Sequence, residues 1–167
     1  MHIYTTRFGR IEVGAGDIIR FPKGILGFEG VERYVLLPHE DGSPFRFLQA
    51  VDDPDLAFVV TNPVWFCPDY TVEALQEDMA RIGLNEPKDA LILSIVTLPR
   101  QGGAVTANLL APIVINSANG LAKQVIQTES KYRTRHDIKE EMRRAREIVQ
   151  DANQTASSLA ASLRTVG

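Results

Sequence analysis

The sequence has one cysteine, Cys67, among 167 residues, so no disulfide can form within the chain. This agrees with a reducing compartment, and we expect a cytoplasmic protein. No apolar run approaches the roughly 20 residues that a membrane-spanning helix needs. The N-terminal residues also lack the basic-then-apolar order of a signal peptide. No membrane partner is therefore expected.

Motifs of catalysis and of metal or cofactor binding are also missing. Gly14 and Gly16 are not followed by the third glycine of a dinucleotide-binding loop, since position 19 is Ile. No Gly-x-Ser-x-Gly or Gly-Lys-Ser/Thr sequence occurs. The histidines are too far apart for a zinc site, and we expect each to be exposed: His2, His39 and His136. We expect Cys67 to be a buried, inert thiol, and we expect no enzymatic activity, no metal and no cofactor.

Charge is unevenly divided along the chain. Residues 138–167 hold five basic and four acidic side chains, net +1, which leaves 13 basic and 17 acidic, net −4, in residues 1–137. Nucleic-acid binding relies on clustered Lys and Arg, so an acidic body argues against it. Such a body suits a basic protein partner better.

Residues 1–137 read as short β-favouring runs separated by Pro, Gly and Asp. The runs predict strands over residues 2–6, 10–13, 17–21, 34–37, 45–51, 57–61, 91–98, 105–115 and 122–126. Asn119 and Gly120 predict a two-residue type I′ hairpin turn, and residues 72–82 predict one helix, capped by Thr71 and ended by Gly83. The predicted fold is mainly β: a small antiparallel β-barrel or sandwich with one short internal helix.

The last 30 residues change character. From Ile138 the apolar positions follow one another at alternating spacings of four and three, which is a heptad stripe. No proline interrupts it, and Asp137 can cap its start. We therefore predict a β domain over residues 1–137 and a long amphipathic C-terminal helix over residues 138–167.

Several segments occur together in an unusual order. They are residues 21–29 (FPKGILGFE), 43–49 (SPFRFLQ), 51–58 (VDDPDLAF), 67–70 (CPDY), 108–116 (NLLAPIVIN) and 123–125 (KQV). This set closely resembles the flagellar assembly factor family FliW, over about residues 1–136. The resemblance also implies that family members usually end near residues 132–136, whereas this chain continues.

The resemblance implies a β-barrel-like protein without enzymatic activity that binds two proteins in alternation. One is flagellin, held in the cytoplasm before export. The other is CsrA, an RNA-binding repressor of flagellin translation, which is antagonised once flagellin has been exported. The chain itself is then not expected to bind nucleic acid directly.

Exposed acidic and aromatic side chains on loops are the candidate protein-binding residues. They are Glu29, Asp52, Asp53, Asp55, Asp69 and Tyr70. The large aromatic side chains of the same segments, Phe28 among them, are expected in the core. A second candidate set lies on the tail, which resembles a flagellin C-terminus and is predicted to dock on its own or a neighbouring molecule: Val149, Ala152, Leu159 and Leu163.

Two alternatives stay open from the sequence. The heptad tail could hold a structural oligomer together, with the β domain as decoration. A hydrolase or lectin would need carboxylates or aromatics that converge on a pocket from distant segments.

Overall fold

The computed structural model of the protein describes residues 1–74 and 76–166, with side chains up to residue 161. Eleven strands form a two-stranded sheet, β1–β2, and a nine-stranded sheet, all paired antiparallel. The strands are β1 His2–Thr5, β2 Gly9–Glu12, β3 Ile18–Arg20, β4 Arg33–Pro38, β5 Phe45–Ala50, β6 Ala57–Thr61, β7 Ala90–Thr97, β8 Thr106–Ala107, β9 Ile113–Asn116, β10 Ala122–Gln124 and β11 His136–Asp137. The helices are α1 Gln76–Arg81 and α2 Ile138–Val166.

The large sheet curls until its two ends almost meet. Its main path runs β10-β9-β7-β6-β5-β4-β3, and β8 and β11 branch from β7. The end strands are joined by one bridge, where the backbone N–H of Arg20 donates to the carbonyl of Gly120 at 2.9 Å. The predicted antiparallel, mainly β fold is confirmed, but among the described residues no continuous ladder closes it into a barrel.

Four apolar clusters fill this fold because strand residues alternate between its faces, and the two largest position the candidate residues. The inner cluster lies inside the curled sheet and contains Phe21, Tyr34, Leu48, Leu93 and Ile113. The second lies beneath the start of α2 and contains Phe66, Tyr70, Leu109, Tyr132 and Ile138. The first turn of α2 is therefore part of a core.

The predicted long strand over residues 105–115 is wrong, because the chain turns between β8 and β9. The side-chain carbonyl of Asn108 accepts a hydrogen bond from the N–H of Ala111 at 3.0 Å, which closes the turn. Pro112 follows and has no N–H to give to a ladder.

The predicted type I′ turn is also wrong. Four residues, 117–120, connect β9 to Leu121, and Gly120 has a positive φ of 75° whereas Asn119 does not. The side-chain amide of Asn119 donates instead to the carbonyl of Ile82 at 3.0 Å. This contact ties the hairpin loop to the residue that follows α1.

Helix α1 is shorter than predicted, because hydrogen bonds hold the preceding segment extended. The N–H of Thr71 donates to the hydroxyl of Tyr132 at 3.3 Å, and the N–H of Glu73 donates to the side-chain carbonyl of Gln127 at 2.8 Å. Gly83, with φ 67°, follows the helix as predicted. Leu75, which falls within the predicted helix over residues 72–82, lies outside the described residues.

Helix α2 follows β11 without a linker. The carboxylate of Asp137 accepts hydrogen bonds from the N–H groups of Lys139 and Glu140, which confirms the predicted cap. At about 1.5 Å per residue the helix is about 43 Å long. Ile138 and Met142 pack on the body, whereas every residue of 146–161 is exposed. None of the helices in the described part of the chain is long and apolar enough to cross a bilayer.

Candidate protein-binding surface

The predicted acidic residues 52–55, here called the acidic loop, connect β5 to β6. Asp52 and Asp55 are exposed and Asp53 is half-buried. The carboxylate of Asp53 accepts a hydrogen bond from the N–H of Asp55 at 3.0 Å, and the carbonyl of Asp53 accepts one from the N–H of Leu56 at 3.2 Å. These two bonds make a compact turn that presents its carboxylates outward.

The acidic loop rests on a buried side-chain amide. Gln49, in β5, is fully buried, and its Nε2 lies 3.1–3.4 Å from four backbone carbonyl oxygens. These oxygens belong to Ala50, Asp53, Pro54 and Leu56. The loop therefore turns its carbonyl groups inward onto one donor, which leaves the carboxylates facing solvent.

Two further contacts fix the acidic loop from its sides. Arg33, at the start of β4, forms a two-pronged ion pair with Asp52, in which Nε lies 2.9 Å from one carboxylate oxygen. Its hydrogen bond to Asp52 lowers the pKa of that carboxyl group. The hydroxyl of Thr6 donates to the carboxylate of Asp55, which joins the β1–β2 hairpin to the loop.

Residues 21–32, here called the β3–β4 loop, hold Glu29. At Gly24, which has a φ of 64°, a Cβ atom would stand 2.5 Å from the Cα of Glu29, so glycine alone fits this close approach. The carboxylate of Glu29 accepts a hydrogen bond from the N–H of Gly27 at 3.1 Å. This bond lowers the pKa of Glu29.

The β3–β4 loop also exposes apolar side chains. Phe28 is 40% exposed rather than in the core as expected, and its ring stands edge-on to Phe58 at 5.2 Å. Leu26 is more than half exposed. An exposed aromatic held by a second ring is a typical anchor in protein interfaces.

Sheet topology places these two loops at one end of the fold. The β3–β4 loop joins the end of β3 to the start of β4, and the acidic loop joins the end of β5 to the start of β6. Glu29, Asp52, Asp53 and Asp55 therefore lie at the same end of the sheet. Asp69 and Tyr70 follow the other end of β6 and belong to a different region.

Tyr70 is not the exposed contact residue that was predicted. It is 7% exposed, and its hydroxyl donates to the carbonyl of Leu109 at 2.7 Å and accepts from the side-chain amide of Gln127 at 3.0 Å. Burial raises its pKa. Tyr70 packs against Tyr132 in the second apolar cluster, so its role is to hold the core together.

Asp69 is half exposed and forms an ion pair with Arg144 of α2, at 2.9 Å. This contact lowers the pKa of Asp69 to about 2. Arg144 also pairs with Glu141 at 3.0 Å. The candidate residue Asp69 therefore anchors the C-terminal helix to the body.

His136, predicted to be exposed, is buried in the same network. Its Nε2 accepts the N–H of Arg133 at 2.8 Å, so its Nδ1 carries the proton that faces Glu141 at 3.0 Å. Burial opposes ionisation of Glu141, but the hydrogen bonds from His136 and Arg144 outweigh it and lower the pKa. Cys67 is buried beside this network as predicted.

The tail candidates lie on the exposed part of α2, and Val149 among them also borders a groove with Trp65 and Pro68 of the body. Val149 and Leu159 are 58% and 62% exposed, and Ala152 is exposed as well. The side chain of Leu163 lies outside the described residues. The heptad stripe thus presents an apolar strip that nothing in the described part of the chain covers.

The acidic side chains do not converge on a metal site in the part of the chain that the structure describes. No three His, Cys, Asp or Glu side chains of that part are arranged to hold a metal ion. The carboxylates of the acidic loop are instead engaged by Arg33, by Thr6 and by the backbone of the loop itself.

The sequence did not predict the residues that hold the acidic loop and Asp69 in place. Gln49 and Arg144 carry no local pattern that points to the acidic loop or to Asp69, since each contact depends on chain folding. Trp65 could have been chosen as a candidate from the sequence, because it is the single tryptophan of the chain and lies between Pro63 and Pro68 in a turn-forming segment. Its exposed ring borders a groove against α2.

Comparison with known proteins identifies the family. The family model described as FliW protein matches residues 2–138. A flagellar assembly factor FliW from Natranaerobius thermophilus is 42% identical over 139 residues, which is 83% of this chain and 92% of that protein. A crystal structure of the flagellar assembly factor FliW superposes with a TM-score of 0.76 at 36% identity, over 83% of this chain and 96% of that one.

One relative bears on the tail. The flagellar assembly factor FliW from Alkaliphilus metalliredigens is 40% identical over 157 residues, which is 93% of this chain and 95% of that protein. An alignment of that extent reaches well into α2. The expectation that family members stop before the tail is therefore wrong for this relative.

Proposed function

The chain belongs to the FliW family, and we propose that it is a cytoplasmic flagellar assembly factor that acts by binding proteins rather than by catalysis. Family membership carries this proposal, because the match spans the whole β domain. The structure supports binding over catalysis in one respect. Its acidic loop exposes the carboxylates of Asp52 and Asp55 at the surface and leaves that of Asp53 half-buried.

We propose two partners, flagellin and CsrA, bound in alternation. Flagellin that awaits export occupies the protein and leaves CsrA free to repress flagellin translation. Once flagellin has left the cell, the protein binds CsrA and relieves the repression. Such switching requires two complexes of comparable free energy that exclude one another.

The acidic end of the fold supports a basic partner such as CsrA. Glu29, Asp52, Asp53 and Asp55 lie on two adjacent loops, and buried contacts fix the backbone of both. Carboxylates on a rigid surface attract a basic protein over about 10 Å at roughly 0.1 M salt and raise the association rate. Leu26 and Phe28 on the same end supply apolar anchors.

A competition experiment tests the proposal. Calorimetry with the purified chain and each partner separately should give two saturable complexes, and a preformed complex with flagellin should bind CsrA at least tenfold more weakly. RNA should not bind to the chain at physiological salt unless CsrA is added. Absence of both protein complexes, or tight RNA binding without CsrA, would contradict the proposal.

A structural oligomer held by α2 is a second candidate function. The observation that favours it is the exposed apolar strip of Val149, Ala152 and Leu159. The mass of the full chain in solution, compared with a chain that ends at residue 147, distinguishes the two. A dimer that the truncation converts into a monomer would support the oligomer, and a monomer in both cases would exclude it.

A further inference from the structure

A groove of about 440 Å³ lies where α2 leaves the body. Its apolar lining comes from Trp65 and Pro68 on one side and from Met142, Ala145 and Val149 of α2 on the other, with Arg146 at the rim. We call it the α2 groove. It lies at the opposite end of β6 from the acidic loop, so it is separate from the acidic loop and the β3–β4 loop.

Both walls of the α2 groove are fixed by contacts with the body. The indole N–H of Trp65 donates to the hydroxyl of Thr61 at 2.7 Å, and its ring meets Phe45 and Phe66 edge-on at 5.9 Å and 5.1 Å. On the other wall, Arg144 and Glu141 tie α2 to Asp69 and His136. The groove therefore exists before any partner arrives, which lowers the entropic cost of binding.

The rim of the α2 groove carries uncompensated positive charge. Arg143 pairs with Glu140 and Glu147, whereas Arg146 has no ion pair with any residue in the described part of the chain. Lys139 lies seven residues earlier, on the same side of α2, and is likewise without an ion pair there.

Local composition reinforces this contrast. Residues 131–146 contain seven basic and three acidic side chains, net +4, whereas residues 1–130 contain ten basic and sixteen acidic, net −6. The base of α2 is thus a basic region on an otherwise acidic molecule. The positive potential of this region would attract an acidic partner, whereas the acidic loop would attract a basic one.

We propose that the α2 groove binds an acidic amphipathic helix of a partner protein. The apolar residues of that helix would cover Trp65, Met142 and Val149, and its flanking carboxylates would pair with Arg146 and Lys139. Tryptophan and arginine are both enriched among the residues that dominate binding energy in protein interfaces. An amphipathic helix in an apolar groove is a common mode of recognition.

Other occupants fit the groove less well. The chain's own tail cannot fold back into it, because α2 runs unbroken from residue 138 to 166. The tail of a second copy offers few carboxylates to pair with Arg146 and Lys139, since residues 147–167 hold only two acidic side chains and one basic side chain. A nucleic acid would leave the apolar floor of Met142, Ala145 and Val149 unused. The inference concerns a different region from the acidic loop and does not depend on flagellin or CsrA.

The single tryptophan makes the test direct, because Trp65 fluorescence reports on the α2 groove alone. The probe is a synthetic helix of about 18 residues, with leucines at helical spacing and glutamates flanking them. A matched peptide has lysines in place of the glutamates. We expect the acidic peptide to give a saturable blue shift that 0.5 M salt weakens, and the basic peptide to bind at least tenfold more weakly.

Two variants locate the site without disturbing the core, since Arg146 and Val149 are exposed. Arg146→Glu should reverse the preference between the two peptides, and Val149→Lys should weaken both at least fivefold. The matched control, Ile148→Lys, alters an exposed residue outside the groove lining and should bind normally. Equal response to both peptides, or an unchanged shift in Val149→Lys, overturns the proposal. A concentration-dependent dimer that Val149→Lys dissociates would also overturn it and assign the groove to a second copy.

Discussion

The buried side-chain amide of Gln49 donates to the backbone carbonyl of Asp53 at 3.2 Å, so a residue inside the sheet fixes the acidic loop on its surface. Its amide hydrogens serve four carbonyl oxygens in all, whereas its own Oε1 has no hydrogen-bond partner in the described part of the chain. The surface geometry of Asp52, Asp53 and Asp55 therefore depends on a buried side chain.

Replacing Gln49 should destabilise the protein and loosen the acidic loop. Gln49→Glu puts a carboxylate among carbonyl oxygens in a buried site, and we expect it to lower the free energy of unfolding by about 3 kcal/mol. Gln49→Leu removes the side-chain donor but leaves the carbonyls of Asp53, Pro54 and Leu56 their backbone N–H partners, and should cost about 1 kcal/mol. Urea unfolding measures both, with the exposed Gln101→Glu as control. Changes below about 0.5 kcal/mol would show that Gln49 does not hold the loop.

The charges of the acidic loop should set the rate of CsrA binding. Asp52→Lys together with Asp55→Lys should slow association severalfold at low salt and flatten its salt dependence, because exposed charges act mainly on association. Stopped-flow mixing at several salt concentrations measures this. Asp53→Asn is the matched variant for Asp53, since an asparagine oxygen can still accept the N–H of Asp55. Unchanged rates in a folded double variant would count against this loop.

Much of the β domain could be predicted from local patterns, and the reasons are visible in particular strands. Residues 57–61 form β6 with the predicted bounds, because Thr61 is followed by Asn62-Pro63 and Ala57 is preceded by an acidic turn. The break at Asn108 was missed, since it depends on one side chain that closes a turn inside an apolar run. The branching of β8 and β11 from β7 depends on contacts between distant segments, which no local pattern records.

Cys67 should be unreactive in the folded protein. Burial is the main cause that raises the pKa of its thiol to about 11, and the hydrogen bond with Asp69 adds to it. At pH 8 only about one thiol in a thousand would be ionised, and the thiolate is the reactive form. A chromogenic disulfide reagent should label the native protein at least a hundredfold more slowly than the protein in guanidinium chloride. Complete labelling of the native protein within minutes would contradict this expectation.

Acidification should weaken the ion pair between Asp69 and Arg144, which holds the base of α2 on the body. Asp69 has its pKa lowered from 3.8 to about 2 by Arg144, so the folded state binds fewer protons than the unfolded state between these values. The contribution is complete above about pH 4 and is lost as the pH falls towards 2. Because Asp69 is half exposed, we expect about 1 kcal/mol rather than the full shift.

The variant Asp69→Asn isolates that contribution. It should be about 1 kcal/mol less stable than the parent chain at pH 7, with the difference shrinking as the pH falls from 4 to 2. Glu141→Gln should behave in the same direction, since its pKa is also lowered. Thermal unfolding across this pH range measures both. A constant difference at every pH would mean that Asp69 acts through packing and not through its charge.

The candidate site was predictable only where a residue's exposure follows from its neighbours. The acidic loop is exposed as expected, because three carboxylates and a proline within four residues favour a solvated turn. Tyr70 was misplaced, since Leu109 and Gln127, which are distant in sequence, contact its hydroxyl. His136 was misplaced because it pairs through β11 with the distant Ala107 of β8, while its hydrogen-bond partners Arg133 and Glu141 are near in sequence. Composition favours exposure for such residues, but folding supplies partners that reverse it.

The prediction that the tail mimics flagellin is best tested with a truncation that keeps the first turns of α2. Removing residues 138–167 would also remove Ile138 from the core and Arg144 from its pair with Asp69, so it would test stability instead. A chain that ends at residue 150 keeps these contacts. Because residues 151–161 are exposed and lie beyond the α2 groove, docking of this part of the tail would take place on a neighbouring molecule and would grow with protein concentration. If the tail occupies the flagellin site, the shortened chain should bind flagellin severalfold more tightly than the full chain at high protein concentration, and equally at low concentration.

Leu159→Lys in the full chain should reproduce the gain, since it disrupts the exposed strip, whereas Ser157→Lys, on the same segment but off the strip, should not. Titrations of flagellin at two protein concentrations measure the effect, and equal affinities throughout would exclude mimicry and leave the tail as an accessory helix.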